Sequence, residues 1–336
     1  MKKNPVIAVV GATGLVGNEI LVCLEDSPIE FSDLRLFASS DSEGEVYSCR
    51  DSEYKIDVLG DDSFEGVDIA FFSVEASLAS KYVPIAIESG ALVIDCSNQF
   101  RLDPEIPVIV PEVNFKALTI SNRLISCPSP SAVFLSPILK SIQDEVGIKR
   151  VVISVFESVS GAGKAALDEL WSQTICIFNQ RQVVCDAFQH QIAFNCIPQV
   201  DLIRGDAYTK EEYGIIAEIK KVLELPDLQM TATVVRVPIF HTYSLSVNIE
   251  TSGELLPDRC TSLLQGLKGL EISSDPLEYP MPLTVIGSEA IHVGRIRRDY
   301  SVLHGLNMWI VGDNVRRGGA LCALKIGQQV IEKFGD

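Results

Sequence analysis

The feature that most restricts the fold is a glycine-rich turn near the start of the chain. An apolar segment, Val6–Val10, runs directly into Gly11-Ala12-Thr13-Gly14-Leu15-Val16-Gly17, after which apolar residues recur at helical spacing. Glycines in such a turn let the backbone approach a pyrophosphate, which then rests on the positive helix N-terminus. The pattern predicts a dinucleotide-binding strand–turn–helix unit, although a glycine-rich turn can also be purely structural. The residues expected to contact the cofactor here are Gly11, Thr13, Gly14, Leu15 and Val16.

The first 128 residues alternate strand-like and helix-like segments. Further strand candidates, rich in Val, Ile and Phe, are Leu34–Ala38, Asp68–Ser73, Ala91–Asp95 and Leu124–Cys127. Continuous apolar strands separated by helices are typical of a parallel sheet covered on both faces. We therefore predict an α/β fold with a dinucleotide-binding Rossmann domain over residues 1–128.

The pattern changes after about residue 129. A helix-like stretch, Ser129–Val146, leads into extended segments with period-2 alternation. These segments are Arg150–Val159, Met230–Ile239, Ser244–Glu250, His292–Ile296 and Asn307–Val311. Such alternation predicts an antiparallel or mixed sheet with one covered face, and hence an α+β domain over residues 129–314. The final segment, Arg316–Lys333, is typical of an amphipathic helix.

Charge and cysteine usage exclude several classes of function. With 28 Lys and Arg against 45 Asp and Glu, the formal net charge is −17, which disfavours nucleic-acid and membrane partners. No segment approaches the roughly 20 apolar residues of a membrane-spanning helix, and glycines interrupt the N-terminal run too early for a signal peptide. The nine cysteines are scattered without a CxxC pair, which favours reduced thiols in a cytoplasmic protein over disulfides or a metal site.

The segment after the second predicted strand bears on the choice of cofactor. The strand should end near Ala38, where an adenine ribose would lie, and an acidic run containing Asp41 and Ser42 follows. A carboxylate here can accept hydrogen bonds from a ribose 2′-hydroxyl but repels a 2′-phosphate. The residues therefore favour NAD over NADP, while an acidic surface turn without a cofactor role is an equally good interpretation.

Motifs along almost the whole chain resemble those of the aspartate-semialdehyde dehydrogenase family, in the same order. They are Val110–Asn114, Ser158–Gly163, Ala193–Pro198, Arg236–Pro238, Val293–Arg297 and Asp313–Asn314. The resemblance implies a glyceraldehyde-phosphate dehydrogenase-like architecture. Its Rossmann domain would be completed by residues 315–336, and residues 129–314 would form a substrate-binding and dimerisation domain. Enzymes of that family reduce aspartyl phosphate to the semialdehyde with NADPH, through a cysteine thioester.

The family's nucleophilic cysteine has no counterpart in this chain. The corresponding segment is Ile125–Ala132, and a match without gaps places Pro130 at the cysteine position. A helix N-terminus favours a thiolate, which is the attacking species in acyl transfer. Proline has no nucleophilic atom, but it suits the first helical position after the N-cap candidate Ser129. The resemblance therefore implies that the helix is kept and the nucleophile is lost.

Other functional positions of the family also differ. The resemblance places Glu157 at a substrate-orienting glutamine, Tyr243 at the catalytic histidine and Gly214 at a phosphate-binding lysine. Asp41 stands at an arginine that binds the cofactor phosphate. Removing a nucleophile or its base alone typically lowers the rate by several powers of ten. No catalytic residue is therefore assigned with Pro130, Glu157 and Tyr243 at these positions.

A second set of family positions is retained. Arg101, Glu211 and Arg236 correspond to substrate-binding residues, so the resemblance implies recognition of a small acid or zwitterion. A structural ion pair is an equal alternative for either arginine, and a solvated helix face is the alternative for Glu211. The resemblance also implies cofactor contacts from Ser160, Gly161 and Asn314.

Other side chains could replace the lost nucleophile. Cys127 ends a predicted buried strand, where an inert thiol is expected. Ser129 and Ser131 flank Pro130, and a one-residue shift would align Ser131 with the nucleophile, but serine needs a positioned base. His241 is the candidate base, because it would share a face with Tyr243 if that stretch were extended.

The substitutions resemble those of the Usg-type paralogues within the family. The leading hypothesis is a cytoplasmic homodimer that binds dinucleotide weakly or not at all and lacks phosphorylating semialdehyde dehydrogenase activity. Such a pseudoenzyme would act by binding an acidic metabolite or a protein. One alternative is an active NAD(P)-dependent oxidoreductase of amino-acid biosynthesis, acting on a semialdehyde or related carbonyl with Tyr243 as proton donor. Another is a subunit that forms a heteromer with an active paralogue.

Overall fold

The computed structural model describes residues 2–335. The chain folds into two compact units, each with its own sheet. Unit 1 comprises Met1–Ser129 and Gly319–Asp336, and unit 2 comprises Pro130–Gly318. Together they form a two-domain α/β protein, as predicted.

Unit 1 is built on a sheet whose strand order is β3-β4-β2-β1-β5-β6-β7. The strands are β1 (Val6–Val10), β2 (Asp33–Ala38), β3 (Val46–Cys49), β4 (Ser52–Val58), β5 (Ile69–Phe72), β6 (Leu92–Asp95) and β7 (Leu124–Ser126). All neighbouring strands are parallel except β3 and β4, which form an antiparallel hairpin at the edge. The strands predicted for this region are confirmed. The hairpin was not predicted, because its turn uses Arg50 and Asp51 at positive φ instead of an Asn-Gly pair.

Helices cover both faces of the unit 1 sheet, as the sequence predicted. They are α1 (Leu15–Glu25), α2 (Ala76–Glu88), the short α3 (Pro111–Asn114) and the C-terminal helix Leu321–Phe334. Phe72 of β5 shares a buried cluster with Val83 of α2. Its neighbour Phe71 points to the other face, where a Cβ on Gly327 of the C-terminal helix would lie 2.9 Å from the ring. The predicted Arg316–Lys333 helix begins instead with a π-type turn, Arg316–Ala320.

Unit 2 is built on a mixed sheet whose strand order is β11-β12-β13-β10-β8-β9. The strands are β8 (Ile148–Glu157), β9 (Gln229–Arg236), β10 (Tyr243–Thr251), β11 (Leu270–Ile272), β12 (Ile291–Arg298) and β13 (Gly305–Gly312). The pairs β8–β9 and β11–β12 are parallel, and the other pairs are antiparallel. The predicted mixed sheet is therefore confirmed. Strand β8 ends earlier than predicted because Val159–Ala162 forms a 3₁₀ turn.

The helices of unit 2 are α4 (Pro130–Val146), α5 (Lys164–Phe178), α6 (Lys210–Leu223), α7 (Pro257–Gln265) and α8 (Pro282–Val285). Helix α4 packs on β8 and β10, and α6 packs on β9. Helix α4 begins at Pro130, the position that its fixed φ and missing N–H favour. The spacing of buried residues along β8 shows that one face of the sheet is covered more completely than the other.

None of the helices within residues 2–335 combines the length and apolar character needed to cross a bilayer. Within residues 2–335, none of the nine cysteines forms a disulfide. Cys185 and Cys196 are exposed, while the thiols of Cys49, Cys127 and Cys322 are among those that are buried.

Candidate functional site

A row of positions crosses one end of the unit 2 sheet and includes two of the positions that the family resemblance predicts to be catalytic. Glu157 of β8 is the register partner of Arg236 on β9 and of Tyr243 on β10. Gly312 of β13 is the register partner of Tyr243 on its other side. Partnered positions on neighbouring strands share a face of the sheet. We call Arg236, Glu157, Tyr243 and Gly312 the Glu157 row.

The row lies on the face of the sheet that helices cover. Glu157 alternates in step with Ile153 and Val155 along β8, and all three are buried. At the other end of the row, a Cβ on Gly312 would lie 2.6 Å from the ring of Phe134 in α4. The polar row is therefore buried among apolar side chains, where an unpaired charge would be costly.

The charges of Glu157 and Arg236 are paired. Arg236 Nη1 lies 2.9 Å from Glu157 Oε2, and the side chains are only 7% and 2% exposed. The same Nη1 donates to the carbonyl oxygen of Ser158 at 2.7 Å. Burial opposes the charge on Arg236, but the Glu157 carboxylate and neighbouring groups outweigh it and raise the Arg236 pKa. For Arg236, the structure contains the ion pair that the sequence left as an alternative to substrate binding.

Tyr243 fills the space beside this ion pair. A Cβ on Gly161 would overlap the Tyr243 Oη and lie 2.7 Å from Arg236 Nη1, so both groups pack against the glycine backbone. Burial and the charge of Glu157 raise the pKa of the Tyr243 phenol, despite an opposing effect of Arg236. Tyr243 is therefore a neutral phenol at physiological pH, and it lies where the family resemblance predicts a titratable histidine.

Glu211 lies in the first turn of α6 and is half-buried. A capping box fixes this turn: Glu212 N donates to Thr209 Oγ1 at 3.1 Å, and Thr209 N donates to Glu212 Oε2 at 2.8 Å. The charge of Glu211 acts on both Arg236 and Tyr243. Glu211 therefore belongs electrostatically to the Glu157 row and is not on a fully solvated face.

Gly214 follows Glu211 by three residues on α6, so the two lie on neighbouring parts of one helix face. A Cβ at Gly214 would be in ordinary contact with Glu218, at 3.7 Å. The position has no side chain and supplies no positive charge to balance Glu211. The spacing of the capping box Thr209-x-x-Glu212 is a sequence signal for the start of α6.

Pro130 begins α4 at the same end of the sheet as the row. It packs against Gly318, where a Cβ would lie 2.5 Å from the Pro130 Cβ. Phe134, one turn further along α4, is the residue that contacts Gly312 of the row. The predicted helix start is therefore in place, with a proline ring at its first position.

The substitute nucleophiles are poorly placed for catalysis. Ser131 is fully buried, and its hydroxyl has no hydrogen-bond partner among the described residues, so no base is positioned on it. Cys127, in unit 1, is buried; interactions with Cys322 and Cys96 and its burial raise the thiol pKa well above the ordinary value. The expected pairing of His241 with Tyr243 on one extended face is wrong, because Thr242 between them has φ of 74°.

Ser160 and Asn314 meet in a buried hydrogen-bond network of unit 2. The Asn314 amide nitrogen donates to Ser160 Oγ at 3.0 Å, and Asn314 Oδ1 accepts from the backbone N–H of Thr242 at 3.0 Å. Ser158 Oγ lies 2.9 Å from Ser160 Oγ. The network connects the ends of β8, β10 and β13 and holds the exposed Gly161 beside the Glu157 row. Ser158 and Thr242 were not predicted, because only the tertiary structure brings them to Asn314.

The glycine-rich turn of unit 1 has the geometry that a pyrophosphate site requires. Gly11 adopts φ of 85°, and a Cβ there would lie 2.6 Å from the carbonyl oxygen of Ser73. A Cβ on Gly17 would overlap the carbonyl oxygen of Gly11. Helix α1 starts after Gly14 without an acidic side chain in its first turn, and Thr13 and Gly14 are exposed. The start of α1 therefore fits an anionic group, and the half-exposed Leu15 and Val16 form its first turn.

The positions predicted to influence the choice of cofactor lie directly after β2. Ser40–Ser42 forms a 3₁₀ turn in which Asp41 is exposed and Ser42 is half-buried. An exposed carboxylate at the carboxyl end of β2 is available to a ribose hydroxyl and would repel a phosphate. The geometry is compatible with both interpretations made from the sequence.

Arg101 of unit 1 is engaged by backbone oxygens. Its Nε donates to the carbonyl oxygen of Cys127 and its Nη2 to that of Cys96, each at 2.9 Å. These contacts connect the segments that follow β6 and β7. Asp95, at the end of β6, is buried; burial raises its pKa, although Ser97 and Arg101 oppose the shift. Arg101 therefore has a structural role in unit 1, whatever else it binds.

Two family models match the chain over most of its length. The model described as "Semialdehyde dehydrogenase, NAD binding domain" matches residues 6–121. The model described as "Semialdehyde dehydrogenase, dimerisation domain" matches residues 139–317. The fold and the site therefore define a two-domain protein of the semialdehyde dehydrogenase class, with an NAD(P)-binding domain and a dimerisation domain.

Individual relatives show which family within this class the chain resembles. The aspartate-semialdehyde dehydrogenase of Rickettsia bellii is 40% identical over 99% of this chain and 100% of its own length. That of Aquifex aeolicus is 38% identical over 97% of this chain and 98% of its own length. The crystal structure of aspartate semialdehyde dehydrogenase II from Vibrio cholerae superposes with a TM-score of 0.94 at 36% identity, covering 98% of this chain and 99% of that one. The chain belongs to the aspartate-semialdehyde dehydrogenase family.

The buried ion pair leads to a prediction about stability. Glu157→Leu or Arg236→Met alone leaves a buried charge without its partner and should lower the free energy of unfolding by about 3–5 kcal/mol. The double variant should lose much less than the two single losses combined, because no unpaired charge remains. Urea unfolding at neutral pH measures the free energies of unfolding of the two single variants and the double variant.

The exposed pair Arg259–Glu145 is the matched control for this double-mutant cycle. Its atoms are 2.8 Å apart, but the side chains are 59% and 31% exposed. Breaking it should cost about 0–1 kcal/mol. If the loss of unfolding free energy in the double variant equals the sum of the losses in the two single variants, the pairing of Glu157 with Arg236 contributes nothing to stability.

Proposed function

We propose that this chain is a non-acylating member of its family, which lacks phosphorylating semialdehyde dehydrogenase activity and acts by binding a metabolite or a protein. The observation that carries the proposal is the proline ring of Pro130 at the start of α4. A thioester needs a sulfur or another nucleophilic atom at the helix N-terminus, and proline supplies none. No base is positioned on the hydroxyl of Ser131, the neighbouring residue.

The Glu157 row supports the same proposal. A site that binds an acyl phosphate needs positive charge free to interact with it and an acid–base group with a pKa near the working pH. Arg236 is instead paired with Glu157 at 2.9 Å, and Tyr243 is a buried phenol with a raised pKa. The raised pKa also argues against the alternative oxidoreductase in which Tyr243 donates a proton, because a weaker acid is a poorer proton donor.

Restoring the family's residues should restore acyl transfer. In the triple variant Pro130→Cys, Glu157→Gln, Tyr243→His, a thiol stands at the helix N-terminus and a histidine stands in the row. We expect this variant to form a covalent acyl adduct with aspartyl phosphate, detected by intact-protein mass spectrometry, while the unmodified chain forms none. The variant Glu157→Gln, Tyr243→His is the matched control and should also form none.

Two results would contradict this account. Turnover of aspartyl phosphate by the unmodified chain would refute the proposed loss of activity. A folded triple variant that shows no acylation would mean that Pro130 does not occupy the nucleophile position, or that the row no longer forms a substrate site.

We propose NAD as the preferred dinucleotide, with weak affinity. The start of α1 fits a pyrophosphate, and the exposed Asp41 after β2 would repel a 2′-phosphate. NAD should therefore bind more tightly than NADP in a fluorescence titration, and Asp41→Ala should reduce the difference by about 1 kcal/mol, the size of one exposed charge interaction. Asp51→Ala, in the β3–β4 turn, should leave the difference unchanged. Tighter binding of NADP by the unmodified chain would exclude this role for Asp41.

We propose a homodimer formed through an apolar surface of unit 2 that includes α5. Trp171 is 61% exposed, Phe178 76% and Phe194 65%. The Phe178 and Phe194 rings are in edge contact with centroids 5.9 Å apart, which makes the exposed patch continuous. Large aromatic side chains left in water favour association, because burying them removes apolar surface from solvent.

The double variant Trp171→Asp, Phe178→Asp should shift the protein to a monomer in light scattering coupled to gel filtration. Two charges placed in an apolar interface carry a desolvation penalty that the remaining contacts cannot offset. Leu277→Asp is the control, since Leu277 is 84% exposed but lies outside α5. A monomeric unmodified chain, or a dimer that survives the double change, would locate the interface elsewhere or exclude it.

A further inference from the structure

We propose that Glu157 acts as a built-in carboxylate ligand of Arg236 and thereby excludes acidic ligands from the Glu157 row. The proposal rests on the proposed function in treating the row as part of a ligand site. It goes further in assigning that site's specificity to one residue. The ligand class that remains is uncharged polar or cationic.

Arg236 already has a carboxylate partner within the protein. Guanidinium groups bind carboxylates through paired, charge-assisted hydrogen bonds, and in the row that partner is internal. The register places Glu157 directly beside Arg236, with Oε2 at 2.9 Å from Nη1. The carbonyl oxygen of Ser158 accepts from the same Nη1 at 2.7 Å. A ligand carboxylate would have to displace Glu157 to reach this nitrogen.

The space around Arg236 Nη1 is filled. The Tyr243 Oη and Arg236 Nη1 both lie against the backbone of Gly161, which has no side chain because the phenol occupies that position. Arg236 and Tyr243 are only 6% and 4% exposed. The Arg236 Nη1 is thus enclosed by a carboxylate, a carbonyl, a phenol and a glycine backbone.

Two carboxylates act on the positive charge of Arg236. Glu157 and Glu211 both interact electrostatically with its guanidinium. Tyr243 is a neutral phenol, and burial raises its pKa further above the ordinary value. In a buried environment the two carboxylates repel an incoming acid, whereas an amide, a hydroxyl or an ammonium group is tolerated.

The decisive variant is Glu157→Gln, which keeps the shape of the side chain and removes its charge. Arg236 then carries a buried charge that a small anion can neutralise. Inorganic phosphate and L-aspartate should raise the melting temperature of this variant, because a ligand that binds only the folded state stabilises it. In calorimetric titrations at constant ionic strength, both anions should bind the variant about tenfold or more tightly than the unmodified protein.

Two controls identify the group that binds the anion. Glu157→Asp retains the negative charge and should remain as insensitive to phosphate as the unmodified protein. Glu157→Gln combined with Arg236→Gln removes the cation as well and should lose the gained affinity. Equal affinity of the unmodified protein and Glu157→Gln for both anions would overturn the proposal. So would affinity in Glu157→Gln that survives the loss of Arg236.

A measurement on the unmodified protein covers the case in which Glu157→Gln does not fold. Succinate and succinamide have similar shapes and differ in charge, so their binding can be compared directly by ligand-observed NMR. Binding of succinamide alone, or of neither compound, agrees with exclusion of acids by Glu157, whereas tighter binding of succinate contradicts it. Acylation of the unmodified chain would refute the proposed loss of acyl transfer at Pro130, but it would not test the pairing of Glu157 with Arg236. The proposed function and the exclusion of acids are therefore refuted by different experiments.

Discussion

The pairing of Glu157 with Arg236 is the interaction around which the candidate site is organised. Both charges are buried, and a buried charge is tolerated only with a partner and hydrogen bonds to satisfy it. Three neighbouring strands meet this requirement, because their register places Arg236, Glu157 and Tyr243 side by side. The consequence is that the polar side chains of the row, Glu157, Arg236 and Tyr243, interact with one another.

The proposed replacements are compatible with the fold. Pro130 suits the first turn of α4, and the packing of this helix on Gly312 and Gly318 is kept. The Tyr243 hydroxyl occupies the space next to Gly161. In the function that we propose, Pro130 and Tyr243 stand at the nucleophile and acid–base positions of the family. Each change would then be unfavourable for acyl transfer and acceptable for folding, as expected when a family member keeps its scaffold and changes its use.

Sequence patterns predicted most of the secondary-structure elements, and the elements that they missed have physical causes. Apolar periodicity located the strands of both sheets except β3, β4 and β11. The β3–β4 hairpin was not predicted because its turn lacks glycine. The prediction that His241 and Tyr243 share a face of an extended segment was wrong because Thr242, which lies between them, has a positive φ. Glu211 is on a charged helix in the sequence, and only packing brings its charge to Arg236.

The sequence alone determined that a proline suits the start of α4, that glycines shape the turn before α1, and that strand and helix patterns divide the chain into two domains. These are local properties, set by residue chemistry and by periodicity along the chain. Only the tertiary structure decided whether Arg236 is available to a ligand, because that depends on which side chain lies next to it. Strand register placed Glu157 there, and burial made the pairing necessary. Neither register nor burial is a property of the residues taken one at a time.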